Sequence, residues 1–211
     1  MAEITVVHLA RVANGPEALE RFLEAYRSVG AGVEHELLIA RKGEDSRFPD
    51  IGYDIGTYRR AAEQVSTPYV CFLNSWSRPR IEGWLSKLLS VAKRHDVGLV
   101  GATGSLEGVP GCPFPNYHVR TNAFVMLREL FLRWAPIDPT REECLAFEAG
   151  PNSLTRRVQE SGLKALTIPR KEFRRGEQSR LLVADNRTDD YQNADPERRR
   201  FLQRLAWGQA R

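Results

Sequence analysis

The chain has 211 residues, 42% of them hydrophobic and 27% charged, which is enough for one substantial core and typical of globular protein. No run of about 18 apolar residues occurs, so no membrane span is expected, and the acid at Glu3 with the short apolar run behind it argues against a secretory leader. The net charge of +4 is uneven: residues 170–211 hold 11 Lys/Arg against 7 Asp/Glu, leaving residues 1–169 balanced. A basic end of this kind suits phosphates or an acidic membrane face. Nucleic acid is not expected as a partner, because the aromatic residues are not interleaved with the basic run. Cys71, Cys112 and Cys144 are odd in number and widely spaced, which suggests neither a disulfide framework nor a zinc site, so they are expected as small buried hydrophobes. A cytoplasmic location is the expectation.

In chain order, Ile4 to Leu9 is a β-branched run closed by the turn Asn14-Gly15-Pro16. The stretch after it carries Leu19, Phe22, Leu23 and Tyr26 at helical spacing. His35 to Ala40 is a second strand ending in Arg41-Lys42-Gly43, and residues 54–65 make a helix stopped by Thr67-Pro68. Tyr69 to Leu73 is a third strand that breaks into the polar turn Asn74-Ser75-Trp76-Ser77. Pro79 and the spaced Ile81, Trp84, Leu85, Leu88, Leu89 and Val91 then form an amphipathic helix. Val97 to Ala102, almost wholly apolar, is a strand buried on both faces.

Strands alternating with helices predict an α/β fold, a doubly wound, mostly parallel sheet with right-handed crossovers. Ligands then belong at the strand C-termini, here Arg11 to Gly15, Arg41-Lys42, Asn74 to Ser77 and Thr103 to Gly108. Beyond residue 108 the alternation fails. Residues 109–116 read as loop, 122–133 as a strand running into a helix, 153–161 as a helix stopped by Gly162, and 163–168 as a strand. Leu181 to Thr188 is apolar and then polar, which suits an element docked on the core. Asp195-Pro196-Glu197 opens a last helix with Phe201, Leu202, Leu205 and Trp207 on one stripe.

No G-x-G-x-x-G follows the first strand, and neither a P-loop nor a G-x-S-x-G elbow is present. The order of elements is more informative. Thr-Pro-Tyr-Val-Cys-Phe-Leu-Asn-Ser-Trp-Ser from Thr67, then Pro79 and Trp84-Leu85, then Val97-Gly98-Leu99-Val100-Gly101 resembles the family 2 glycosyltransferases of GT-A fold, whose segment yilfLDxDxxxxPxWLxxL precedes a vGlvG strand. Thr121 to Glu129 looks like that family's gxxmxxRRexf segment. Phe147-Glu148-Ala149 with Arg156-Arg157 and Gly162-Leu163 looks like its geDxxLxxRlxxaGy segment, with one or two residues more between the acid and the arginine. The resemblance covers roughly residues 3–168, so it implies a GT-A-like nucleotide-sugar domain over 1–169 and a basic C-terminal helical extension over 170–211 packed on the same domain.

The resemblance implies transfer of a sugar from a nucleotide-sugar donor to a glycan or lipid-linked acceptor, as in polysaccharide biosynthesis. The runner-up is a catalytically silent domain that binds a carbohydrate or a protein. Asn74 and Trp76 stand where the family has its two metal-binding acids; Asn offers one neutral oxygen and Trp none. No cofactor is therefore required and no conventional metal site is expected, although a weakly held Mn²⁺ or Mg²⁺ stays open. The leaving diphosphate would be met instead by cations, with Arg11, Arg41, Lys42, Arg174, Arg175 and Arg180 as candidates.

Glu148 falls where the resemblance puts the catalytic base, with Asp138 or Glu143 as rivals and a solvated loop acid as the plain alternative. Asp54 reads as a helix N-cap first and a base or ribose contact second. Asn14 is a turn residue or a lining of the nucleotide pocket, and Ser75 belongs to the donor loop. Trp76 either stacks a sugar or base or packs on the sheet edge. Thr121 and Asn122 either contact acceptor or donor sugar or cap a strand. His118 reads as a loop histidine that could assist an ion. The last helix could close over the acceptor, pack on the domain, or make peripheral contact with the inner face of a membrane.

Overall fold

The computed structural model describes residues 1–44, 47–168 and 183–184. The apolar runs become β1 (Ile4–Arg11), β2 (Glu36–Lys42), β3 (Tyr69–Leu73), β5 (Val97–Gly101), β8 (Ala123–Leu127) and β9 (Lys164–Thr167), which form one six-stranded sheet of order β2-β1-β3-β8-β5-β9. Short strands β4 (Arg78–Pro79) and β10 (Val183–Ala184) pair with each other, as do β6 (Gly104–Ser105) and β7 (His118–Val119). Neighbours in the large sheet are parallel except β8, which runs antiparallel to both β3 and β5. The expected mostly parallel α/β sheet is therefore present, and the reversed strand matters for the site. Because β8 runs backwards, its first residues lie at the edge where the parallel strands end.

The period-2 alternation of the central strands divides two apolar layers. Val70, Phe72, Phe124 and Met126 face one side with Tyr58, Phe131 and Phe147, which come from α2 (Tyr53–Gln64), α4 (Arg128–Trp134) and α5 (Arg141–Ala149). Cys71, Leu73, Ala123 and Val125 face the other with Phe22 of α1 (Glu17–Ser28) and Trp84, Leu85 and Leu88 of α3 (Trp84–Ala92). On the first side Phe72 sits at the centre of an aromatic cluster, its ring centroid 4.7 Å from Tyr58, 5.0 Å from Phe124 and 4.4 Å from Phe131. β5 is buried along its whole length, as its composition predicts. Of the three free cysteines Cys71 and Cys112 are buried and Cys144 partly so.

Helix α1 starts with Glu17 and Glu20 in its first turn and ends with Arg27 in its last, charges that complement the helix dipole. α6 (Leu154–Glu160) ends before Gly162, which has a φ of +81°. Helix α5 was not expected from the sequence, yet it starts at a capping box: the Thr140 side chain accepts from the Glu143 N–H, and the Glu143 carboxylate accepts from the Thr140 N–H. Val183 is fully buried among the second layer and pairs antiparallel with Pro79; the rest of the expected element from Leu181 to Thr188, beyond β10, lies outside the described residues. The last helix, and Arg174, Arg175 and Arg180, lie outside the described residues.

Candidate functional site

Strands β1, β2, β3 and β5 all end at one edge of the sheet, and the structure joins those ends. At the β1/β2 corner, Arg11 and Lys42 stand side by side in register. Both reach Asp50: Arg11 Nη2 donates to Asp50 Oδ2 at 2.9 Å, and Lys42 Nζ lies 3.3 Å from Asp50 Oδ1. The Arg11 bonds, and to a lesser degree Lys42, hold the Asp50 carboxyl below its ordinary range, and Asp50 in return raises the Arg11 guanidinium. Lys42 is 3% exposed, and its ammonium lies 5.9 Å from the centroid of the Tyr53 ring. Strand alternation separates the two cations of Arg41-Lys42. Lys42 is turned in, whereas Arg41, expected beside it as a donor-binding residue, is exposed and paired with Glu44.

Asp54 also differs from expectation. Gly52, with a φ of +69°, caps α2, Tyr53 follows at +47°, and Asp54 makes no capping bond in the first turn. The cap must be glycine, because a Cβ there would lie 2.9 Å from Asp138 Cα as well as in a left-handed conformation. Asp54 keeps some accessible surface but is enclosed by protein. Burial raises its carboxyl above the ordinary range, Lys42 pulls it back, and the negative charge of Glu148 raises it further. Cys144, one turn before Glu148 on α5, lies with its Sγ 3.9 Å from the Gly52 carbonyl, so this helix packs beside the start of α2.

The turn after β3 is closed on itself. Asn74 Oδ1 accepts from the Trp76 N–H at 3.1 Å and from Ser77 Oγ at 2.8 Å, while the Asn74 N–H donates to the Asn122 carbonyl at 2.9 Å. Ser77 Oγ also lies 2.9 Å from that carbonyl, and Ser75 Oγ accepts the Arg11 N–H at 3.4 Å. Trp76 is half-buried, with the Arg21 guanidinium 5.7 Å from its ring centroid. His8, in the middle of β1, stacks on Phe22 at 3.6 Å and is fully buried; burial lowers its imidazole to about 3, so it adds no charge beneath the turn.

At the start of β8, Thr103 Oγ1 donates to Asn122 Oδ1 at 2.8 Å, which ties the end of β5 to the same point. Thr121 donates both its N–H, at 2.8 Å, and its Oγ–H to Oε2 of Glu148. Glu148 lies in the last turn of α5 and is partly buried, so it is not the solvated loop acid that was its plain alternative. The end of this helix is held by Asn116, whose Nδ2 donates to the Ala149 carbonyl at 2.8 Å. Beside it, Thr155 Oγ1 accepts the Val119 N–H at 2.9 Å.

The rival acids are committed elsewhere, Asp138 to an ion pair with Arg60 and Glu143 to the capping box. His118 is no loop residue; it is buried in β7, with Nδ1 2.9 Å from the Asn116 carbonyl. Asn14 ends a one-turn 3-10 helix, Val12–Asn14, and among the described residues nothing ties its side chain to the corner. Asp50 and Tyr53 are the corner residues that sequence reasoning missed.

At the β3 turn the Asn74 oxygen faces two donors of its own turn, the Trp76 N–H and Ser77 Oγ, and the Trp76 side chain supplies no oxygen.

No protein-family model matches the sequence, and a search of curated proteins returns no match. Among solved structures, the chain is similar to a mannosyltransferase from Pyrobaculum calidifontis in complex with GDP-Man and Mn²⁺, with a TM-score of 0.53 at 12% identity over 80% of this chain. The match takes in 55% of the mannosyltransferase, so the chain spans little more than half of it. It is also similar to the glucosyl-3-phosphoglycerate synthase of Mycobacterium tuberculosis in complex with Mn²⁺, UDP-glucose and phosphoglyceric acid. There the TM-score is 0.50 at 13% identity, over 98% of this chain and 77% of that one. The fold is thus that of the GT-A glycosyltransferases, and at such identities it is the fold alone that is shared.

Proposed function

We propose that the chain is a glycosyltransferase that moves a sugar from a nucleotide-sugar donor to a glycan or lipid-linked acceptor and holds its donor without a conventional metal site. One observation carries the reading: Glu148, whose Oε2 accepts both donors of Thr121, is held at the point where β3 and β5 end, on the same sheet edge at which β1 and β2 present Arg11 and Lys42. In this reading the nucleoside lies against the β1/β2 corner and the turn at Asn74 to Trp76. The acceptor hydroxyl meets the carboxylate of Glu148. That carboxylate takes the proton as the hydroxyl oxygen attacks C1 of the donor sugar, and the C1–O bond to the diphosphate breaks. Negative charge gathers on the diphosphate, and cationic side chains stabilise it in the role an ion would fill. Arg11 stands at the corner, and Arg78 and Arg80 directly follow the turn.

The experiment is a calorimetric screen of UDP, GDP, dTDP and CDP with their sugars, in Mn²⁺ and in EDTA, followed by donor turnover for wild type and Glu148→Gln. Binding that persists in EDTA, together with loss of at least about 100-fold in turnover in Glu148→Gln at unchanged donor affinity, is the expected result. Donor binding without consumption by the wild type would favour the silent domain, and wild-type turnover by Glu148→Gln would remove Glu148 from the role.

A further inference from the structure

We infer that Thr121 is a positioning residue for the carboxylate of Glu148, an assignment that rests on Glu148 being the base of the proposed transfer. Thr121 spends both of its donors, N–H and Oγ–H, on the same oxygen, Oε2. A carboxylate held through one oxygen by two donors cannot rotate freely, and Oε1 is the oxygen left for an acceptor hydroxyl.

The placement follows from the topology. Residues 121–122 precede β8, the antiparallel strand, so they lie where β3 and β5 end. The neighbouring Asn122 carbonyl takes the Asn74 N–H and approaches Ser77 Oγ, and its side chain takes Thr103 Oγ1. One dipeptide therefore braces the turn after β3 through Asn122 and aims the acid on α5 through Thr121. A strand cap needs only the main chain of Thr121. The hydroxyl bond to Glu148 gives the side chain a use that capping does not, and a misplaced base costs rate rather than affinity.

The test compares Thr121→Val, which keeps the shape and removes the hydroxyl, with Thr121→Ser, which keeps the hydroxyl, in steady-state kinetics and in thermal melts of the whole chain. The expected result is a fall in kcat of about 10- to 100-fold in Thr121→Val with donor KM within about twofold, and recovery to within about threefold of wild type in Thr121→Ser. Near-wild-type kcat in Thr121→Val while Glu148→Gln is inactive would overturn the positioning role and leave the proposed base standing. A Thr121→Ser variant as slow as Thr121→Val would overturn it too, since the hydroxyl would then be irrelevant. Full turnover by Glu148→Gln, or a wild type that consumes no nucleotide sugar, would remove the base and this assignment together.

Discussion

Replacing Asn74 with alanine tests whether the oxygen at the metal position is already spent. The structure gives this oxygen two donors, the Trp76 N–H at 3.1 Å and Ser77 Oγ at 2.8 Å. The two losses are unequal. Ser77 has one hydroxyl proton and an alternative acceptor 2.9 Å away in the Asn122 carbonyl, so it keeps a partner in the variant. The Trp76 N–H loses its partner outright. One full hydrogen bond and part of a second, at about 0.5–1.5 kcal/mol each, predict a loss of about 1–2 kcal/mol. For a chain of this length that corresponds to a fall in Tm of about 2–8 °C by calorimetry. Asn74→Asp keeps the acceptor and strengthens it, so its Tm should stay near wild type. It should also gain no tight Mn²⁺ binding in titration calorimetry, because Trp76 still offers no oxygen. A wild-type Tm for Asn74→Ala, or Mn²⁺ binding by the wild type that is lost in that variant, would refute the reasoning and show the oxygen free for an ion.

Burial raises the Asp54 carboxyl, so its ionisation costs the native state at neutral pH, whereas below the unfolded value of 3.8 both states are protonated and the cost is absent. Asp54→Asn should therefore raise the urea midpoint at pH 7 and give no gain at pH 3.5; an equal gain at both would exclude the charge as its origin. Phe72→Ala removes the ring at the centre of the cluster with Tyr58, Phe124 and Phe131, and should cost about 3–5 kcal/mol in chemical denaturation, with a loss below about 1 kcal/mol contradicting the packing described.

The elements that could be read from sequence are those whose pattern is local. β3, β5 and β8 are short apolar runs, and α1 and α3 carry apolar stripes at helical spacing. α5 escaped because Arg141, Glu142 and Glu143 are exposed and only Phe147 and Ala149 are fully buried, which leaves too little apolar periodicity to register. Its start was nonetheless written in the chain, as Thr140 and Glu143 form a capping box at the standard spacing. Asp50 was invisible for another reason. Its partners Arg11 and Lys42 come together only through the register of β1 with β2, and no local pattern encodes an ion pair across 39 residues. The bond from Thr121 to Glu148 spans 27 residues and depends on the reversal of β8, which a sequence of alternating strands and helices does not announce.

Charge at the corner follows a different rule from charge over the chain. The net +4 belongs to residues 170–211, and the corner itself sets Arg11 and Lys42 against Asp50 and Asp54, so it offers a diphosphate no surplus of cations. The strength of each pair decides which cation can change partner. Arg11 and Asp50 are 46% and 37% exposed in their side chains, and exposed pairs are worth about 0–1 kcal/mol, so a phosphate carrying more than one negative charge competes well for Arg11. Lys42 is 4% exposed in its side chain, and pulling a buried ammonium from its carboxylate leaves a desolvated charge, so Lys42 holds its place. On the proposed function the two neighbours therefore divide the work: Lys42 fixes Asp50 and moderates Asp54, while Arg11 is the cation that can turn from Asp50 to the departing diphosphate.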